Sequence, residues 1–431
     1  AVGGETIALA PSAERYRLSA GAWSNIAPLS DTVTITSVDA ANPAVFDKIV
    51  IQYLSDIAFS NIAVETDSRS GYAMDVVWSS NISVENVTFT GSATGPRLSD
   101  SDKSGASFRA FGVENLNFKN NVVSHFAYGP MFNWVSDAVI QNNTITHIQI
   151  DGMQLSQLQN VEISYNTMRD FFGVYNNILH PDFIQLYSTN TEEPTKNLLI
   201  HSNILVANGY HGSQSILLNN EKYDREGYQG KEYVYSNISV KDNVIVNGHW
   251  IGVLAHSVDG LDISGNVMLQ NPDTAVRRSD GGGSSAPPGI RVLGANTKNV
   301  NIENNASGGI HIFDCIRISE SGNATLSYDD PNDAFFWETV LGSLDEWRGD
   351  PRYDVVFETL GVEKAGPALW IDGAARAVSA FVAQDGGASA VADWGVTLAQ
   401  STNDWTEVRF ANGLQVGEHT VLRFDFASGA E

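Results

Sequence analysis

The sequence predicts an all-β fold: short parallel strands wound into a stack of coils, with a small β-sheet domain behind it. Three observations carry this. A unit reading Asn, apolar, polar, apolar recurs along the chain, and a second Asn follows most of its copies at six residues. No segment of the repeat keeps an apolar face at the helical period over two turns.

The unit begins at Asn61, Asn81, Asn115, Asn160, Asn197, Asn237 and Asn299, with Asp137 and Gly260 starting equivalent copies. Its two apolar positions, such as Val161 and Ile163, alternate at period two and mark a short strand. The Asn six residues on (Asn121, Asn143, Asn166, Asn203, Asn243, Asn266 and Asn305) marks a corner. Asn accepts left-handed backbone angles there, and stacked amides can form a ladder. Bare coils take about 22 residues, and longer intervals carry loops. A third strand reads just before each new start, for example Asp151 to Leu155, Asp182 to Tyr187 and Ile251 to His256. Residues 1–50 form the first coil and cap, so the coil stack is expected over 1–327. Residues 328–352 read as a linker with one helix around Phe336 to Glu346, and 353–431 as an accessory β-sheet domain of sandwich type.

The chain has 431 residues and a formal charge of −25. That charge opposes attraction to nucleic acid or an anionic membrane, and no apolar run is long enough to span a bilayer. Cys315 is the sole cysteine, which excludes a disulfide-stapled scaffold. The acidity suits a bacterial-type secreted protein. Gly281-Gly-Gly-Ser-Ser lacks the strand and helix of a phosphate cradle, and neither zinc spacing nor a Gly-x-Ser-x-Gly elbow occurs. No organic cofactor is expected, and nothing fixes an oligomeric state.

The coil repeat, with Asp151-Gly-Met-Gln-Leu155 and His180-Pro-Asp-Phe-Ile-Gln-Leu186, resembles the right-handed parallel β-helix superfamily of polysaccharide-active proteins over roughly residues 30–320. That group includes pectate and alginate lyases, mannuronan epimerases and some hydrolases. The resemblance implies a right-handed single-stranded parallel β-helix and a polysaccharide substrate. It leaves open elimination, hydrolysis, epimerisation and plain binding by an adhesin or tailspike.

Insertions mark the side where chemistry would sit, since a coil that merely packs has no use for a long loop. Aligning the two motifs puts Asp151 beside Asp182 and Gln154 beside Gln185 in adjacent coils, about 4.8 Å apart at the backbone. Two such carboxylates must share a proton or a cation, so they are candidates for acid–base work or for holding Ca²⁺; an Asp stack bonded to corner amides is the plainer reading. Met153 and Leu155 facing inward would require Asp151 to sit at the corner before the strand. His180, ahead of Pro181-Asp182, is the candidate base. His211, His249 and His256 lie in or beside the third-strand region, while His125 and His147 read as corner residues with Asp170 next in their column. Glu221 to Tyr235 gathers Lys222, Arg225 and Lys231 with Tyr223, Tyr228, Tyr233 and Tyr235, a cationic and aromatic surface for a glycan beside Asn219. Arg109 and Arg291 read as isolated outward cations.

The expected activity is therefore β-elimination on a uronate-containing polysaccharide, with Asp151, His180, Asp182 and Lys222 as the catalytic candidates. Hydrolysis by Asp151 and Asp182 is the alternative, followed by C5 epimerisation and non-catalytic binding.

Overall fold

The computed structural model describes residues 3–21, 31–95, 104–172, 181–207, 213–224, 233–271, 287–326, 347 and 349–360. In the C-terminal part it gives the strands between 368 and 424 by backbone alone, as it does Tyr223 and Asp224. Contacts divide the chain into a unit of Ala1–Asn323 and one of Ala324–Glu431.

The first unit is a right-handed parallel β-helix whose strands join in one parallel assembly. Each coil contributes to three faces. Sheet 1 holds the strands that precede each Asn start, among them Met153–Ser156, Asp182–Leu186, Gln214–Leu218, Ile251–His256 and Gly289–Leu293. Sheet 2 holds the strands of the starts themselves, such as Gln159–Ser164, and sheet 3 the three- or four-residue strands beyond the ladder, such as Thr167–Arg169. The stack begins earlier than Asn61: Thr6–Leu9 pairs with Val33–Ser37, and Tyr16–Gly21 with Val45–Gln52.

Alternation decides which side chains turn inward. Met153, Leu155, Ile184, Leu186, Ile216, Leu218, Ile290 and Val292 are fully buried and run down the inside of sheet 1. Each such side chain contributes about 1.5–3 kcal/mol of burial.

The predicted amide column is present, and it continues one coil further. Asn121 accepts from Val87 N, and the Oδ1 of each next Asn accepts from its predecessor's backbone N through Asn143, Asn166, Asn203, Asn243, Asn266, Asn305 and Asn323, at 2.9–3.0 Å. The backbone expectation needs correcting. The left-handed residue is the one before the ladder Asn, for example Asn120 (φ 56°), Asn142 (57°), Tyr165 (57°) and Ser202 (53°). Turning the chain one residue early leaves the next side chain pointing inward, where its amide meets its neighbours. The start residues are left-handed too, and they build a second ladder on the surface: Asn197 donates to Asn160, and Asn237 to Asn197.

Within the second unit the described residues include a turn, Pro351–Tyr353, and a helix, Asp354–Leu360, where a β domain was expected from 353. Val355, Val356, Phe357 and Leu360 share the buried face of that helix, a spacing that a search for alternation passes over. Further on come antiparallel sheets of three and four strands. The expected helix at 336–346 lies outside the described residues.

Candidate functional site

Loop length singles out sheet 1. Sheets 2 and 3 connect through just two residues in coil after coil, whereas the long connections all enter or leave sheet 1, as at 91–105, 170–181, 271–288 and 219–234. The outer face of sheet 1, which these connections enter and leave, is therefore the floor of the candidate site.

Asp151 and Asp182 are neighbours in this register, because Met153 pairs with Ile184 and Gln154 with Gln185. Asp151 does stand at the corner before its strand. It is 4% exposed, and Asp182 is 0% exposed. One Asp151 oxygen accepts the Asp182 backbone N–H at 3.1 Å and the other accepts Gln154 Nε2 at 2.6 Å. The glycine of the motif has a packing reason as well, since a Cβ on Gly152 would lie 2.6 Å from the Phe183 carbonyl oxygen. An arrangement so enclosed fits the corner-amide reading of the pair. It does not fit a calcium cage, which needs six to eight oxygens with free lone pairs, and among the described residues no three His, Cys, Asp or Glu side chains gather into a metal set. Gln154 and Gln185 remain on the floor, half-buried.

The described residues 188–193, 219–222 and 233–235 beside this floor are cross-braced. Glu221 accepts from Ser188 N at 2.9 Å and from Asn219 Nδ2 at 3.0 Å. The Lys222 amine donates to the Thr191 carbonyl and lies 4.5 Å from the centre of the Tyr233 ring. Tyr233 is 3% exposed and donates to the Glu193 carbonyl, while Tyr235 is buried and donates to the Asn219 carbonyl. These tyrosines and Lys222 hold the segments together. The expected sugar-stacking face is absent from Tyr233 and Tyr235, because both rings are buried, that of Tyr235 in the core of the coil stack. Tyr223 is described by backbone alone, in the turn Glu221–Asp224. His180, His211 and Arg225 lie outside the described residues.

The two arginines differ from each other. Arg109 is not isolated: it grips Asp75 with two bonds of 2.8 and 2.9 Å and lies 4.3 Å over the Tyr72 ring. Arg291 has no carboxylate partner among the described residues. Its guanidinium stacks 4.2 Å over Trp250, and its buried Nε makes no hydrogen bond. It pairs in register with Leu254 on one side and His311 on the other. His256, two residues beyond Leu254, shares this end of the floor and is 8% exposed.

Asn133, Ser156 and Tyr187 on the floor, and His311 further along it, escaped the sequence reading. Asn133 Nδ2 donates to Ser156 Oγ at 2.7 Å and to Tyr187 Oη at 2.8 Å. Burial raises the Tyr187 pKa, so the phenol stays protonated at neutral pH. Their signal was parity: each sits two residues beyond an outward position already recognised, or its register partner. His311 was passed over because it falls where the sequence register begins to fade.

The stacked corner histidines are as expected, with His125 and His147 rings 4.6 Å apart and 3° from parallel. His249 is buried beside the floor, and its Nδ1 accepts the Ile251 backbone N–H at 3.1 Å. Burial lowers its pKa to about 4. The folded state thus holds a neutral imidazole, so its contribution is complete above the unfolded value near 6.5 and is lost as pH falls toward 4, roughly 3 kcal/mol in all. Thermal melts between pH 7 and 4 should show the wild type losing more stability than His249→Gln. Parallel curves would dismiss His249 as a source of acid sensitivity.

A family model described as a right-handed β-helix region matches residues 54–213. The chain contains such a region. No curated protein matches it. Among solved structures, an alginate lyase from Paenibacillus sp. is similar at 12% identity and a TM-score of 0.41, over 75% of this chain and 93% of that one. A mannuronan C-5 epimerase A-module from Azotobacter vinelandii is similar at 15% identity and 0.36, over 75% and 91%. A surface adhesin of Streptococcus pneumoniae is similar at 14% identity and 0.38, over 72% and 70%. A fold of this kind does not by itself set the chemistry, which must come from the side chains.

Proposed function

We propose that this protein is a polysaccharide lyase that lays a uronate-containing chain along the outer face of sheet 1 and cleaves it by β-elimination. Arg291 carries the reading. In a chain of net charge −25, a half-buried guanidinium with no carboxylate partner among the described residues is a place where a foreign carboxylate gains more than it loses. Pairing with Arg291 withdraws charge from the uronate carboxylate and lets C5 lose its proton to an imidazole. His311, next to Arg291 in register, is the imidazole assigned to take it in this reading. The C5–H electron pair forms the C4–C5 double bond, the C4–O4 bond breaks, and O4 leaves with a proton supplied by His256 or water. His180 stands as a second candidate for the base.

The hydrolase alternative relied on Asp151 and Asp182, both of which are buried, with the Asp151 carboxylate bonded to Gln154 and to the Asp182 amide. A polymer substrate too large to enter a cell implies that the protein works outside one. The experiment is incubation with alginate, pectate, glycosaminoglycans and neutral glucans, following ultraviolet absorbance and reducing ends together. Unsaturated product from an acidic polymer is the expected result. Reducing ends without absorbance would replace the lyase by a hydrolase, and neither signal would leave an epimerase or a binder.

A further inference from the structure

The first coils carry an exposed aromatic column at the corner where sheet 1 passes to sheet 2. Successive corner positions are Tyr53, Trp78, Gly112, Trp134 and Gln157, all left-handed, at φ 55°, 49°, 65°, 55° and 51°. Backbone bonds from Tyr53 N to the Val77 carbonyl and from Trp78 N to the Phe111 carbonyl fix them in register. A bulky aromatic residue is costly in that conformation, by about 1–2 kcal/mol, and elsewhere in the stack left-handed corners are filled mostly by Asn, Asp, Ser or Gly. Burial does not explain the choice, since Tyr53 is 54% and Trp78 41% exposed.

Gly112 organises the group. It has no side chain, and the Trp78 ring lies down over its backbone, with Cε3 2.2 Å from where a Cβ would be. The ring thereby reaches Trp134, at 5.4 Å between centroids, and Phe111, at 5.3 Å; Phe111 and Trp134 in turn stack at 5.3 Å and 22°. One coil without a side chain thus turns separate corner rings into a continuous ledge. The ledge is continuous with the candidate site, because Phe111 pairs with Asn133, the residue bonded to Tyr187.

We propose that Trp78, Phe111 and Trp134 form a distal subsite that holds a pyranose ring of the bound polysaccharide by its apolar face. The inference rests on the reading of sheet 1 as a polysaccharide floor. A sugar presents axial C–H bonds to a ring face, and stacking of this kind neither needs nor resists charge, which suits one segment of an acidic polymer beside an acidic protein. Five coils separate Trp134 from Arg291, about 24 Å at 4.8 Å per coil. The ledge therefore acts on chains long enough to reach both places and is indifferent to short ones.

The test compares wild type, the double variant Trp78→Ala with Trp134→Ala, and Gly112→Ala on the acidic polymer that wild type cleaves and on its trisaccharide. The expected result is KM for the polymer raised about fivefold to tenfold in the double variant, kcat unchanged, and trisaccharide kinetics unaltered. Gly112→Ala should reproduce the effect by displacing the Trp78 ring, while leaving both tryptophans in the chain. Tryptophan fluorescence of Arg291→Ala should still be quenched by the polymer, and adding Trp78→Ala with Trp134→Ala to that variant should remove most of the quenching. Unchanged polymer KM in a folded double variant overturns the subsite while sparing the lyase reading. Wild type that neither cleaves nor shows quenching with any polymer overturns both.

Discussion

Arg291→Ala is expected to lower turnover of an acidic polysaccharide by about a hundredfold or more, the scale on which removing one preorganised electrostatic group slows acyl-transfer enzymes. The guanidinium is held in place before substrate arrives, by the Trp250 ring at 4.2 Å and the Phe313 ring at 5.6 Å. Little reorganisation is then needed when a carboxylate docks. Arg291→Lys should recover part of the binding and little of the rate, because an ammonium is a point charge without the planar fork that meets two carboxylate oxygens and lies flat on indole. Neither change should alter the melting temperature much, since no carboxylate of the described structure depends on this side chain. Steady-state kinetics on the preferred polymer read the result. An Arg291→Ala variant with wild-type turnover would remove the carboxylate clamp from the mechanism and return the choice of chemistry to the loops.

Asn166→Ala is expected to destabilise the coil stack by about 4 kcal/mol. Asn166 Oδ1 accepts both the backbone N and the Nδ2 of Asn143, at 3.0 and 2.8 Å, and its own Nδ2 donates to the Ile140 carbonyl at 3.0 Å and to Asn203 Oδ1 at 2.9 Å. Truncation strands two donors and a carbonyl in a fully buried column, and each unsatisfied group costs about 1–3 kcal/mol. The surface ladder offers a control. Asn115 is exposed, left-handed at φ 56° and donates one bond to Asn81, so Asn115→Gly keeps the backbone at ease and should cost under about 1 kcal/mol. Urea unfolding of the three proteins distinguishes the ladders. Equal losses at both positions would mean that the buried column is no more than a packing accident.

The sequence by itself determined the coil stack, down to its register. Asn-led units and alternating apolar pairs are local, each coil packs against its neighbours alone, and so the same few residues had to recur wherever a corner or an inward position recurred. That is why Asn121 to Asn305 could be placed in one column, and Asp151 beside Asp182, without coordinates. What those residues do was decided by tertiary structure. Whether Asp151 faces a substrate depends on Gln154 and on the Asp182 amide of the next coil; whether Arg109 is available depends on Asp75, 34 residues away in sequence. Tyr233 looked like a sugar platform because it stands at the end of a long polar segment, and it is buried because Lys222 and Thr191 close around it. The aromatic ledge was equally hidden, since Trp78, Gly112 and Trp134 lie on different coils and only stacking brings them together. A repeat announces its backbone through periodicity, but the availability of a side chain is set by partners from other coils, at separations that the insertions make irregular.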